Sequence, residues 1–333
     1  RVDAAPVIAV AVDGRAEAAE QERLAAEQWA KTHPLEPALC AALVEEDAPD
    51  ALRTLMAHLT TNPAAAAAVG RALEQQPPSG RGFQRLADAL ARAGTEAAQA
   101  ALTAAADRSG QDGRTATLLT VHQGMARAPG ALLEASLRRK AAAPGDAQST
   151  AQLALGVVAS RLAGTDPARH GALVADLAAR YRAANTDAAR VHWLHVLGNT
   201  ASPEVARIAA DALVSPAEEV RRAAVHALRD GSSAEACDAL TTRLRQDSAP
   251  VVRAAAAGAL STATSCAAFD ALAAALAEER DEQVVRATLE ALAAFAASEP
   301  RALAALEEYQ RTCGLASLCR TAKVLAMAVR GRS

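Results

Sequence analysis

Cysteine and histidine are the residues whose spacing in this chain could do chemistry. The cysteines are Cys40, Cys237, Cys266, Cys313 and Cys319. Cys237 and Cys266 fall near the starts of two first helices in neighbouring helix pairs, where a disulfide across the stack is geometrically feasible. Closing that loop would stabilise the fold by roughly 3–4 kcal/mol on a chain-entropy basis. Cys313 and Cys319 flank Gly314. On an unbroken helix six residues hold two side chains about 9 Å apart in rise alone, so a bridge requires the chain to turn at the glycine. Cys40 is left over. The competing reading takes all five as small buried apolar residues of a reduced cytosolic protein. No C-x-x-C pair is present, so no zinc site, and no metal or other cofactor, is expected.

His192, Trp193 and His195 set two imidazoles at H-x-x-H spacing on one helix. A metal would need further ligands that the sequence does not offer. The expectation is that His192 and Trp193 lie in an apolar stripe while His195 faces solvent. His195 and His226 share one register in consecutive repeats, continued by Gly258 and Glu290. Such a ladder lines one face, with a pH-responsive or metal-binding role as the alternative. Arg221 and Arg253 also occupy matching places, with Arg286 displaced by one residue. A recurrent arginine just after the first stripe residue is expected to pair with a neighbouring carboxylate or carbonyl.

The elements that must position these residues repeat. Val220, Ala223, Ala224, Ala227 and Leu228 form the i, i+3, i+4, i+7, i+8 stripe of an amphipathic helix. Val252 to Leu260 and Val284 to Leu292 repeat it, and Ala189 to Leu197 precede it. The closing leucines Leu197, Leu228, Leu260 and Leu292 are 31, 32 and 32 residues apart. Between them runs a second series: Val205, Ile208, Ala209, Ala212, Leu213, then Ala236 to Leu244, then Ala268 to Leu276. Two alternating helices at a period near 32 residues mark an α-solenoid.

Composition agrees. The hydrophobic fraction is 51% but aromatics are 2%, so the apolar content is chiefly alanine, the best helix former and small enough for close helix packing. A net charge of −3 lacks the basic footprint that nucleic acid requires. No run of eighteen apolar residues is free of charge, so no membrane span is expected. Arg1 in place of Met reads as a processed or trimmed chain, for which a removed export signal and a cut boundary both serve.

Residues 1–14 read as an extended N-terminal segment, since Pro6–Asp13 is rich in β-formers. Residues 15–81 read as N-terminal helices, 82–310 as regular helical repeats, and 311–333 as a capping helix and tail. Gly94, Gly164 and Gly198 suit helix C-caps. Asp166-Pro167 and Ser202-Pro203 suit helix starts, while Ser215 to Glu218 and Ser232 to Glu235 have capping-box spacing. The fold expected is an all-α, right-handed α-α superhelix of six or seven helix pairs.

Four pieces carry a resemblance: Leu86 to Ala98, Thr150 to Gly156, Val196 to Asn199, and Val220 to Arg229. They resemble HEAT repeats. Their order from about residue 35 to 310 is similar to the helical domain of the vitellogenin and microsomal triglyceride transfer protein family of large lipid transfer proteins. There the helical domain wraps around β-sheets that enclose lipid; here the chain ends after the helices. The resemblance implies a curved helical scaffold whose second helices present the side away from the stripe to the concave surface. His195, Arg222, His226, Arg229, Arg286 and Glu290 are the partner-binding candidates on that face.

No enzyme is expected. The chain lacks G-x-x-x-x-G-K-[ST], H-E-x-x-H and G-x-S-x-G, and none of its seven histidines is followed by Glu, which removes the His-Glu ligand motif of HEAT-type iron hydroxylases. HEAT-like DNA glycosylases would need a basic groove with aromatics, whereas this acidic chain has two Trp, two Tyr and three Phe. The expected function is non-enzymatic: a curved surface that binds a protein partner or a missing domain of the same parent protein. Lipid or lipoprotein handling is the alternative. With two disulfides the compartment would be extracytoplasmic, periplasmic or secreted; without them, cytoplasmic. Alkylation of the unreduced protein followed by mass spectrometry should modify Cys40 alone, and five modified thiols would refute both bridges.

Overall fold

The computed structural model describes residues 5–44, 49–109, 112–229, 233–262, 268–296 and 299–331. Every regular element among them is an α-helix, and the fold is an all-α solenoid. Internal contacts divide the chain into two units, Arg1–Thr165 and Asp166–Ser333. That division falls within the span 82–310, which the repeat pattern presents as one block.

The first unit contains α1 (Ala5–Thr32), α2 (Leu35–Val44), α3 (Pro49–Thr61), α4 (Pro63–Glu74) and α5 (Arg81–Arg92), then α6 (Glu96–Arg108), α7 (Gly113–Gly124), α8 (Ala131–Ala142) and α9 (Gln148–Leu162). Helices α3, α5, α7 and α9 lie side by side in one layer, and α4, α6 and α8 in the other. Leu55, Leu59, Leu73, Phe83, Leu86, Leu90 and Leu102 fill the space between them.

Where it is described, the segment expected to be extended at 1–14 is helical: Pro6–Asp13 belongs to α1, and residues 1–4 lie outside the described residues. A lone strand leaves its ladder hydrogen bonds unmade, whereas a helix satisfies its own. Residues 15–31 are strong helix formers, and adding residues to an existing helix is cheap compared with nucleating one. The β-branched residues and Gly14 are tolerated because each costs at most about 1 kcal/mol in a helix.

The second unit contains α10 (Pro167–Arg182), α11 (Asp187–Gly198), α12 (Glu204–Ala212), α13 (Glu218–Leu228) and α14 (Ala234–Gln246), then α15 (Pro250–Leu260), α16 (Ala268–Glu278), α17 (Glu282–Phe295), α18 (Arg301–Thr312) and α19 (Ala316–Arg330). Helices α11, α13, α15, α17 and α19 pack in sequence as one layer, with α12, α14 and α16 in the second. Val220, Ala223, Ala224, Ala227 and Leu228 are all buried, as are Val252, Ala256, Ala259 and Leu260 in the next repeat. Helices α13, α15 and α17 also bury Val225, Ala254, Ala257, Val285 and Leu289. Their buried arc exceeds one stripe because each is flanked on both sides by a helix of its own layer.

Helix starts follow the sequence in part. Asp166 accepts the Arg169 amide ahead of Pro167, Thr186 accepts that of Ala189, and Ser233 that of Ala236. Ser202 accepts the Glu204 amide at 3.3 Å. Ser215 forms no capping box: its hydroxyl accepts the Ala217 amide in the preceding turn, and α13 begins without a side-chain cap. In the second expected box the N-cap is Ser233, which places Glu235 at the second helical position, while Ser232 lies outside the described residues. Among the three glycines expected to stop helices, Gly94 alone is left-handed, with φ +69°. Gly198 ends α11 for a different reason, a close helix contact described below.

The recurrent arginines are spent on the fold. Arg221 donates two parallel bonds to Asp247, each 2.9 Å, and further bonds to the Ser215 and Pro216 carbonyls. One step along, Arg253 holds Glu279 at 2.7 and 3.1 Å and donates to the Asp247 and Ser248 carbonyls. The side chain of Asp247 is 1% exposed and that of Arg221 11%. Arg286 does not continue the series: it is exposed and bonds Glu282 within its own helix, while Val285 occupies the register position and is buried.

Burial pushes the Glu279 carboxyl up, but the Arg253 guanidinium and the amides of Asp281 and Arg280 outweigh it and bring the group to about 2. A carboxyl held below its unfolded value contributes stability above that value and loses it as pH falls through the folded one. Arg253→Ala should therefore cost about 3 kcal/mol in urea unfolding at neutral pH, because it strands a half-buried carboxylate. It should also flatten the part of the acid-induced loss that wild type shows between the ordinary glutamate value and about 2. Unchanged midpoints on both counts would show that the ladder does not hold the repeats.

Candidate functional site

Four of the six partner-binding candidates come together on the solvent side of α11 and α13. Arg222, His226 and Arg229 sit at i, i+4 and i+7, one stripe opposite the buried one, and all three are exposed. His195 reaches the same place from α11, its ring centroid 6.2 Å from that of His226 with the planes tilted by 38°. Arg286 and Glu290 are also exposed but stand on α17, with α15 between. The register position on α15 is Gly258, where an added Cβ would meet nothing within 4 Å. The ladder of His195, His226, Gly258 and Glu290 thus reduces to one histidine pair, open ground, and a distant carboxylate.

A glycine sets the distance between the histidines. A Cβ built on Gly198 would lie 2.9 Å from the Ala227 Cα and 3.3 Å from its Cβ. Helices α11 and α13 therefore touch backbone to side chain one turn beyond His195 and immediately beside His226. The same device joins α7 to α9, where Gly124 meets Ala154.

Both imidazoles are held below the usual histidine range. For His195 the causes are partial burial, then Arg222 and Arg229; for His226 they are partial burial, then His195 and the same two arginines. Among the described residues, no carboxylate is a cause for either. His192 is likewise lowered, by burial and then by His195; it is half-buried and meets Trp193 edge-on, so the expected division between a packed His192 and an exposed His195 is observed. Among the described residues, no group of three or more His, Cys, Asp or Glu could hold a metal ion.

Cys313 and Cys319 form a disulfide with their Cα atoms 5.7 Å apart, made where the chain turns between α18 and α19. Cys237 is disulfide-bonded; Cys266, its expected partner, lies outside the described residues. Cys40 is free and exposed on α2. Among the described residues, no helix is long and apolar enough to cross a membrane.

One constellation has no periodic signature in the sequence. In the first unit, Lys140 on α8 donates to Gln123 Oε1 at 3.0 Å and Ser136 Oγ at 3.3 Å, and pairs with Asp107 at 3.2 Å. Ser136 in turn donates to Asp107, and Gln123 donates to Thr103. Burial lowers the Lys140 ammonium against the pull of Asp107. The group borders a cleft of about 600 Å³ lined also by Arg139, Asp146 and Gln148. Composition held a clue: only three of the 35 cationic side chains are lysine. A compact ammonium can meet three acceptors arranged around it where a planar guanidinium cannot.

Residues 174–261 match the HEAT repeats family, a span that runs from α10 to the start of the loop after α15. No curated protein matches. Among solved structures, human deoxyhypusine hydroxylase in complex with glycerol is 20% identical, covering 93% of this chain and 98% of that one, with a TM-score of 0.34. An engineered protein is 16% identical over 93% and 95% of the two chains, with a TM-score of 0.36. At these scores neither similarity bears on activity or ligands.

Gly198→Ala tests what positions the histidine pair. The added methyl overpacks the contact with Ala227 and should cost about 1–3 kcal/mol in chemical unfolding. The His195 and His226 titration midpoints seen by NMR should rise toward the ordinary value as the helices separate. Gly258→Ala, which enters open space, should leave both unchanged or add up to about 1 kcal/mol through helix propensity. Equal behaviour of the two variants would refute the close contact.

Proposed function

We propose that the chain is a non-enzymatic scaffold that binds a protein partner through the solvent face of the second unit's first layer. The observation that carries this reading is the division of labour among adjacent arginines. Arg221 and Arg253 are consumed by bidentate pairs that hold the repeats, while Arg222, next in sequence, projects into solvent beside two histidines. Held in register by a rigid layer, such groups suit recognition of a surface better than enclosure of a small substrate.

The disulfide at Cys313 and Cys319 and the bonded state of Cys237 support an oxidising compartment, periplasmic or secreted. The resemblance to the helical domain of large lipid transfer proteins supports the alternative, in which the same scaffold handles lipid or lipoprotein.

A native mass spectrum of the protein purified from its own host without reductant separates the two. The scaffold reading expects the added mass of a second polypeptide, lost in an Arg222→Glu, Arg229→Glu double variant that keeps wild-type helicity. Added mass that solvent extraction removes would replace it with the lipid reading.

A further inference from the structure

The first unit holds a cleft that the partner-binding reading does not use. It has a volume of about 660 Å³ and is bounded by α1, by α3 and by the turns that follow α5, α7 and α9. The turn after α7 is tied to its neighbours on two sides: the Arg127 amide donates to the Ala91 carbonyl of α5 at 3.1 Å, and the Arg127 side chain reaches Glu22 of α1 at 3.2 Å. Apolar groups form most of the lining, with Ala25 and Trp29 on α1, Met56 and Ala57 on α3, and Ala93 and Ala128 in the turns. Small-molecule sites are typically clefts of about 300–1,000 Å³ with apolar walls and a few fixed polar groups.

The fixed polar group is Arg53. Its guanidinium carbon lies 3.6 Å from the centre of the Trp29 ring, and His33 stacks on the same indole at 3.8 Å with the planes 1° apart. The indole is itself anchored: Trp29 Nε1 donates to Thr54 Oγ1 at 3.0 Å, and that hydroxyl donates to the Asp50 carbonyl. A guanidinium laid on an aromatic face keeps its N–H edge clear for a planar anion. The other cations along the cleft are matched, Arg23 by Glu20 and Glu27 and Arg127 by Glu22. Arg53 makes no ion pair among the described residues.

We infer that this cleft binds a small carboxylate carrying an apolar body, with Arg53 gripping the carboxylate and the walls of α1 and α3 taking the body. A carboxylate accepts two parallel bonds from a guanidinium, and apolar walls strengthen that pair by lowering the local dielectric. A cationic ligand is disfavoured, since three guanidinium groups line the cleft against one carboxylate. A phosphate dianion asks for several donors at once, and Arg23 and Arg127 are already committed. Because α1 supplies one wall, a bound ligand ties α1 to α3 and to the turns, and occupancy stabilises the first unit.

Titration of the whole chain with naphthylacetate tests this, with the uncharged naphthylacetamide as control. The chain has three methionines, Met56, Met125 and Met327, so methyl-labelled methionine gives three NMR signals, and Met56→Leu identifies the one from the cleft. The acid should shift the Met56 signal saturably and leave the other two in place. Calorimetry should show the acid binding about tenfold more tightly than the amide, the difference expected of a charge-assisted bond pair. Arg53→Gln should bring the acid down to the affinity of the amide. Ala25→Phe, which adds a ring to the cleft wall, should abolish binding of both. Both substitutions are at exposed positions, and circular dichroism checks the fold. Equal affinity for acid and amide, wild-type affinity in the Arg53→Gln variant, or a Met56 signal that stays in place at millimolar acid would overturn the inference.

Discussion

The second unit depends on keeping a buried carboxylate paired. Asp247 ends α14 with its side chain almost fully enclosed, and it survives there because Arg221 meets it with both arms and the Ala249 amide donates to it. Its backbone carbonyl then accepts from Arg253, which holds Glu279 in the following repeat. Three consecutive helix pairs are tied by one continuous run of hydrogen bonds. Alanine-rich faces pack closely but discriminate poorly between registers, since their side chains offer little relief to interlock. A buried ion pair that is satisfied in one arrangement and stranded in others supplies the missing register, a use of buried charge attested in coiled coils. The run is short. One repeat earlier Arg190 bonds Asp187 within its own helix, and one repeat later Val285 replaces the arginine.

Small residues have a second consequence. Where α11 meets α13 at Gly198 and Ala227, the helices approach too closely to admit another methyl group. Close approach in the interior dictates close approach at the rim, so His195 and His226 are neighbours because of an atom that is missing one turn away. The cationic cluster is therefore a product of packing as much as of composition. In a chain of net charge −3, it concentrates positive groups where the backbone leaves them no freedom to separate.

Legibility followed locality. The helical stripes depend on residues three and four apart, and most of the positions they marked in the second unit are buried. The arginine recurrence announced a structural role, yet its partners Asp247 and Glu279, 26 residues away, carry no periodic mark that singles them out. Gly198 was misread because a glycine at a helix end has two uses, a left-handed turn or a tight contact, and only the neighbouring helix tells them apart. Pro6–Asp13 misled through β propensity, which has no effect without a second strand. The Lys140 network draws its members from three helices, and the division at Thr165 falls where the repeat continues unbroken in sequence.

Two sets of cations, one residue apart on the same helix, answer to opposite physics. Arg221 is enclosed and matched, so its charge lowers the energy of the folded chain. Partial burial, and then the charges of Arg222 and Arg229, disfavour the protonated form of the two imidazoles on the outer face. The register position on α15 is Gly258, where an added Cβ meets nothing within 4 Å, so that helix offers no side chain to the pair. The repulsion is sustained because the ladder and the Gly198 contact hold the helices whatever the charge on their outer face. A partner surface that favours the protonated rings would gain from that rigidity, because a scaffold held in one arrangement loses little of the interaction to rearrangement.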